Sequence, residues 1–140
     1  MSRSTRLASA SYILSYIAAR EGAHVTTDAI AEAVRDHPAR VRQLISALVK
    51  AGLVNSVRGA NGGVLLAKEP QEISLKDIYE AVKEQPMISL TLKLPNKDWE
   101  HICGVHSALS SLYQEMEDEF QGRLSQIKLN QLYTPLSHRS

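Results

Sequence analysis

Apolar residues recur at intervals of three and four along most of this chain, and only short stretches alternate apolar with polar residues. That spacing predicts amphipathic helices with a small amount of strand. The first helix is expected from about Thr5 to Arg20, the second begins at Thr26 or Thr27, and the third begins near Pro38. The chain is therefore expected to be mainly α.

The third predicted helix separates its polar and apolar residues onto two faces. Pro38 suits its first turn, because that position has no intrahelical partner for its N–H. Arg40, Arg42 and Gln43 occupy the first turns, and Gly52 predicts the end of the helix. The apolar face consists of Val41, Leu44, Ile45, Leu48 and Val49.

A glycine-rich hairpin, called the wing below, follows this helix. Residues 53–58 and 64–66 have the composition of strands, and residues 59–63 read Gly-Ala-Asn-Gly-Gly, which is typical of a turn. Two consecutive helices followed by such a hairpin predict a winged helix-turn-helix. In that fold the second helix of the motif enters the major groove of DNA.

The predicted DNA-facing residues lie on the third helix, the wing and the N-terminus. Arg42 and Gln43 are candidates for contacts to base edges, since arginine donates to guanine O6 and N7. Arg40, Arg3 and Arg6 are candidates for phosphate contacts. A solvated helix face, or a face that docks a protein, is the alternative interpretation. The other predicted contacts are Thr27, Ala39, Arg58, Gly59, Asn61 and Gly62.

The predicted DNA-binding domain covers residues 1–85, and a linker of residues 86–98 follows it. Within the domain, Ser74-Leu75-Lys76-Asp77 predicts a capped helix. Within the linker, residues 88–94 alternate apolar with polar and predict a half-buried strand. This strand is expected to pack against the last helix or to line a small-molecule pocket.

Residues 99–133 are predicted to form the dimerisation segment, with a helix from about Trp99 to Lys128. A helix of about 30 residues is about 45 Å long, which exceeds what a small domain covers. A second copy of the same helix is therefore expected to cover its apolar stripe. The stripe consists of Ile102, Val105, Leu109, Leu112, Met116, Phe120 and Leu124.

These motifs together resemble the Rrf-two family of winged helix-turn-helix transcriptional regulators. The resemblance is carried by Ala-Gly-Leu-Val at 51–54, Val-Arg-Gly-Ala-Asn-Gly-Gly at 57–63, Glu-Ile-Ser-Leu-Lys-Asp-Ile at 72–78 and the long C-terminal helix. It implies a homodimeric regulator, typically a repressor, that binds an inverted repeat in double-stranded DNA. It implies no enzymatic activity, and the chain carries no nucleophile–base motif or phosphate-binding loop.

The chain departs from this family at two places. Many members hold an iron–sulfur cluster on three cysteines, whereas Cys103 is the only cysteine here. No conventional cluster, and so no cofactor, is expected. The family often carries a glutamate where Arg42 stands, and the two side chains prefer different bases. The operator is therefore expected to differ.

Cys103 and His106 are the candidate sensor residues. A plain, partly buried thiol is the favoured interpretation, and redox sensing by Cys103 is the second. Metal binding by His101, Cys103 and His106, or a variant cluster shared across the dimer, is a further alternative. An effector, whether oxidant or small molecule, is expected to shift the angle between the two DNA-binding heads.

The composition agrees with a globular protein, at 44% hydrophobic and 22% charged residues. No apolar run reaches the roughly 18 residues that a membrane span needs, and no apolar segment follows the N-terminal residues as in a signal peptide. A single cysteine favours a reducing compartment, and the cytoplasm is the expected location. Basic residues are in excess before residue 67 and acidic ones after it, although the net charge is only +1.

Overall fold

The computed structural model describes residues 4–86, 88 and 101–133. It divides into two compact units: Met1–Lys83 with Leu124–Ser140, and Glu84–Arg123. A short 3₁₀ turn covers Pro70–Glu72. The other elements are α1 (Arg6–Ala19), α2 (Thr27–Val34), α3 (Pro38–Lys50), β1 (Val54–Val57), β2 (Gly63–Leu66), α4 (Leu75–Val82), α5 (Ile102–Ser125) and α6 (Leu129–Leu132).

The first unit is built around one apolar core to which α1, α2, α3, α4 and α6 each contribute. The apolar spacing of three and four in the sequence places one face of each helix inward. Burial of these faces is the main stabilising term for a domain of this size. Its fully buried large side chains are Ile13, Leu14, Ile30, Val41, Leu44, Leu48, Leu53, Val54, Ile73, Ile78, Val82 and Leu129.

The wing is an antiparallel hairpin in which Val54 pairs with Leu66 and Val57 with Gly63. Val25 adds a single bridge to Val64, with N···O distances of 3.0 and 2.8 Å, so the segment between α1 and α2 extends the hairpin. The predicted fold class is confirmed: the molecule is mainly α, with a two-stranded wing and a long C-terminal helix.

Local capping sets where the helices begin. The Thr26 hydroxyl accepts a hydrogen bond from the amide of Ala29 at 3.1 Å, so Thr26 rather than Thr27 caps α2. Ser74 and Asp77 exchange side-chain and backbone hydrogen bonds at 3.0 and 3.1 Å, which confirms the predicted capping box of α4. Each cap satisfies an amide that the helix itself leaves unpaired.

The long C-terminal helix ends earlier than the sequence predicts. Instead of continuing to Lys128, α5 ends at Ser125. Beyond it, the Leu75 amide donates to the Ile127 carbonyl, and the Leu129 amide donates to the Ile73 carbonyl, both at 2.8 Å. This pairing satisfies backbone groups outside a helix. Residues 127–133 therefore lie in the first unit and outside α5.

Within the second unit, α5 carries exposed apolar side chains. Val105, Leu112 and Met116 are 40, 47 and 36% exposed. Ile102, Leu109 and Phe120 are partly exposed. Leu124 is predicted to be part of this exposed stripe, but it is only 6% exposed and is therefore buried within the single chain.

The predicted linker, residues 86–98, lies almost wholly outside the described residues.

Candidate nucleic-acid interface

Helix α3 begins at a cap supplied by His37. Its Nδ1 accepts a hydrogen bond from the Ala39 amide at 3.1 Å, and its own amide donates to Asp36 Oδ1 at 2.7 Å. Pro38 takes the first position, as expected from its missing N–H. The capped start of α3 fixes the direction in which its first exposed side chains point.

The guanidinium of Arg40 is hydrogen-bonded to other residues of the first unit. Its Nη1 donates to Ser9 Oγ and Asp36 Oδ2, both at 2.7 Å, and its Nη2 donates to Thr5 Oγ1 at 2.5 Å. Its side chain is 32% exposed. The sequence places Arg40 on the open face of α3. The structure corrects that placement, because the guanidinium joins α3 to the start of α1 and to the α2–α3 turn.

Arg42 and Gln43 are exposed on α3, as the sequence predicts. The Arg42 side chain is 62% exposed, and its Nη2 lies 3.6 Å from Oδ1 of Asp28 on α2. Ala39, one turn earlier, is also exposed, and Thr27 is partly exposed at the start of α2. The geometry leaves the Arg42 guanidinium able to donate to a further partner.

The wing presents Arg58 and Asn61 as exposed side chains beside its turn. Gly59 adopts φ +114°, a conformation that side chains rarely allow. At Gly62 a Cβ would lie 2.2 Å from the Val57 carbonyl oxygen. The two glycines therefore permit the tight turn that sets Arg58 and Asn61 on the surface.

Two further phosphate contacts, Arg6 and Arg3, are predicted from the sequence at the N-terminus. Nε of Arg6 donates to the Val82 carbonyl at the end of α4, so Arg6 is engaged within the domain. Arg3 lies outside the described residues.

The sequence interpretation missed two groups near this face. Arg35 is exposed in the α2–α3 turn, where it adopts φ 56° in the left-handed region. Asp28 is the carboxylate beside Arg42. A signal for Arg35 was its position between two capped helices, whereas the Asp28–Arg42 approach depends on how α2 packs against α3.

The sensor candidates lie on the first turns of α5. Cys103 is exposed, which corrects the expectation of a partly buried thiol. His106 is exposed one turn later. Among residues 4–86, 88 and 101–133, no three His, Cys, Asp or Glu side chains come together where they could hold a metal ion.

A cleft of about 680 Å³ lies on the first unit between the end of α1 and the 3₁₀ turn. Tyr133, Glu21 and Glu69 are among its lining residues. The pKa of Tyr133 is raised, first by burial and then by the negative charges of Glu21 and Glu69. The cleft is separate from the residues that face outward on α3.

Comparison with known proteins identifies the family of this chain. A sequence profile of the Rrf2 family, described as an iron-dependent transcriptional regulator, matches residues 3–135. YwnA of Bacillus subtilis, which bears the name of an HTH-type transcriptional regulator, is 30% identical over 132 residues, covering 94% of this chain and 97% of YwnA. The chain belongs to the Rrf2 family. It is a DNA-binding transcriptional regulator and not an enzyme.

Two further relatives agree with this membership. IscR of Photorhabdus laumondii, named as an HTH-type transcriptional regulator, is 35% identical over 92 residues, which are 66% of this chain and 54% of IscR. The structure of CymR, the global cysteine regulator of B. subtilis, has a TM-score of 0.68 at 27% identity and covers 95% of this chain and 96% of CymR. The resemblance in fold thus extends over nearly the whole chain.

The family description names iron, and the residues of this chain test that association. An iron–sulfur cluster is usually held by four thiolates. Cys103 is the only cysteine in the sequence, and it is exposed on α5. The donor set therefore does not fit a conventional cluster.

Among the described residues, no helix has both the length and the hydropathy that a membrane-spanning segment needs.

Proposed function

We propose that this Rrf2-family protein is a repressor that binds an inverted repeat as a homodimer, with α3 of each protomer in a major groove. The observation that carries this proposal is the exposure of Arg42 and Gln43 on a helix whose start is capped by His37. Arg42 would donate to guanine O6 and N7. Half-sites would then lie about 34–36 Å apart, or a multiple of that distance.

Dimerisation is proposed to use the exposed stripe of α5. Val105, Leu112 and Met116 are spaced seven and four residues apart, so they share one side of the helix. Apolar side chains on one side of a long helix are commonly covered by a second helix of the same kind. A two-fold dimer of this type would present two α3 helices to the two halves of a palindrome.

The wing is proposed to contact DNA beside the major groove through Arg58 and Asn61. Both are exposed on the same hairpin that follows α3. Arg58 would neutralise a phosphate or enter the minor groove, and the Asn61 side chain would donate a hydrogen bond to the DNA backbone. A protein partner docked on the same face is the competing proposal, and it would not show the salt dependence that phosphate contacts produce.

We further propose that regulation uses no conventional iron–sulfur cluster. The exposed thiol of Cys103, one residue inside α5, is the group available for an oxidant signal. The thiolate is the reactive form of a cysteine side chain. A small-molecule effector is the alternative, and either signal would act by changing the angle between the two DNA-binding heads. We propose the cytoplasm as the location, because a single cysteine favours a reducing compartment.

The experiment for this proposal is selection of binding sites from a pool of random-sequence DNA duplexes by the purified full chain. We expect an enriched palindrome and binding that weakens steeply as salt increases. The absence of any enriched sequence would contradict the proposal. The same protein, treated with peroxide or diamide, tests the thiol signal: wild type should lose affinity for the enriched site, and Cys103→Ser should not.

A further inference from the structure

Asp28, in the first turn of α2, lies beside the residue proposed to read bases. Its Oδ1 is 3.6 Å from Nη2 of Arg42, and the two side chains are 83 and 62% exposed. This separation is longer than an ordinary hydrogen bond. The two groups therefore attract each other as charges, and neither fixes the other in one geometry.

Asp28 is the acidic residue in the first turn of α2, where the helix dipole favours a carboxylate modestly, and its ion pair with Arg42 adds little more. An exposed ion pair contributes little to folding, because water screens the attraction and the side chains lose freedom. A carboxylate near DNA is also repelled by the phosphates, which dominate non-specific affinity. Asp28 must therefore weaken binding wherever Arg42 would serve only as a phosphate contact.

The geometry of arginine separates the two kinds of partner. The guanidinium has five N–H donors in a planar fork, and guanine uses two of them through O6 and N7. Arg42 can thus keep Asp28 as a neighbour while it donates to a neutral base edge. A phosphate on the same guanidinium would bring a second negative charge next to Asp28 and would be disfavoured.

We propose that Asp28 is a specificity-determining residue, which discourages Arg42 from binding phosphate and so favours guanine. The proposal rests on the base-reading role proposed for Arg42. Asp28 need not touch DNA itself, because it acts through the charge that it places beside the guanidinium. Its position at the start of α2, on the helix packed next to α3, holds that charge in place.

The test compares two DNA probes with wild-type and variant full chains. One probe is the duplex enriched by wild type from a random pool, and the other is the unselected pool at the same length and salt concentration. Asp28→Asn keeps the side-chain shape and removes the charge. It should strengthen binding to the unselected pool by about fivefold, the size of one repulsion between unit charges about 4 Å apart in water, with no comparable gain on the enriched duplex.

Two controls separate pairing from overall charge. Glu32→Gln makes the same charge change one turn further along α2, at another exposed residue. It should shift both probes alike and leave their affinity ratio unchanged. In an Arg42→Ala background, Asp28→Asn should no longer change the ratio, because the guanidinium on which it acts is gone. Circular dichroism of each variant checks that the chain keeps its overall helix content.

The outcomes are distinct. A lower affinity ratio for Asp28→Asn, absent from Glu32→Gln and from the Arg42→Ala background, supports the proposal. An unchanged ratio, or an equal fall in Glu32→Gln, overturns it and leaves the base-reading role of Arg42 standing. A wild-type chain that enriches no sequence overturns the proposed function and this inference together.

Discussion

The guanidinium of Arg40 on α3 donates a hydrogen bond to the hydroxyl of Ser9 on α1, with 2.7 Å between Nη1 and Oγ. The same guanidinium donates to Asp36 and Thr5, so one side chain joins the proposed recognition helix to two other parts of the domain. Arg40 is thus a positioning residue for α3. It stands two positions before Arg42, whose guanidinium faces outward.

Loss of Arg40 should destabilise the domain without removing a phosphate contact. Arg40→Ala breaks hydrogen bonds to a charged donor and should lower the free energy of unfolding by about 1–3 kcal/mol. Arg40→Lys should recover only part of this, because a lysine cannot reproduce the planar fork. Urea unfolding measures the loss. The slope of affinity against salt should stay at the wild-type value, and a shallower slope would instead support the phosphate contact predicted from the sequence for Arg40.

The cap of α3 can be tested separately. His37→Ala should lower the free energy of unfolding by about 0.5–2 kcal/mol, because the Ala39 amide loses its acceptor. His37→Asn supplies an oxygen at the same position and should retain most of the wild-type stability. Urea unfolding followed by circular dichroism measures both. Equal stability in wild type, His37→Ala and His37→Asn would show that the cap does not matter.

A side chain at Gly62 should destabilise the wing. A Cβ there would lie 2.2 Å from the Val57 carbonyl oxygen, and both are backbone-bound atoms that move only together with the hairpin. Gly62→Ala should cost about 1–3 kcal/mol of stability, as overpacking does, and weaken DNA binding. Gly122→Ala on α5 is the control, since its Cβ would meet nothing within 4 Å. That variant should gain about 0.5–1 kcal/mol.

The proposed dimer predicts a strong effect at one side of α5. Leu112→Asp places a charge on the exposed stripe and should convert a dimer, at twice the 15.5 kDa chain mass, into a monomer. Ser107→Asp makes a similar change at an exposed residue on the opposite side of the helix and should remain dimeric. Analytical ultracentrifugation measures both. A wild-type chain that sediments as a monomer at micromolar concentration would contradict the dimer.

The features that the sequence predicted well are local. Apolar spacing identified the helices of the first unit, and Ser74 with Asp77 predicted the start of α4 from two residues three positions apart. Cap chemistry and helix periodicity act over a single turn, so they are visible in a short stretch of sequence. The hairpin followed similarly from its glycine-rich turn.

The features that the sequence did not predict depend on distant contacts. Arg40 meets Ser9 and Thr5 across 31 and 35 residues, and no local pattern separates an arginine so engaged from an exposed one. The end of α5 depends on backbone pairing between residues 127–129 and 73–75, which competes with continued helix. The exposure of Cys103 likewise depends on packing and not on helix period alone.

The proposed function requires that α3 reads DNA sequence through Arg42. The most direct measurement is the ratio of affinities for the enriched duplex and for the unselected pool, in wild type, Arg42→Ala and Lys50→Ala. Lys50 is an exposed cation at the other end of the same helix, so it controls for charge. Arg42→Ala should reduce discrimination by about 1–3 kcal/mol and relax the preference at one base pair in each half-site. Lys50→Ala should leave the ratio unchanged. An Arg42→Ala chain that weakens equally on both probes, or on neither, would contradict a base-reading role for Arg42.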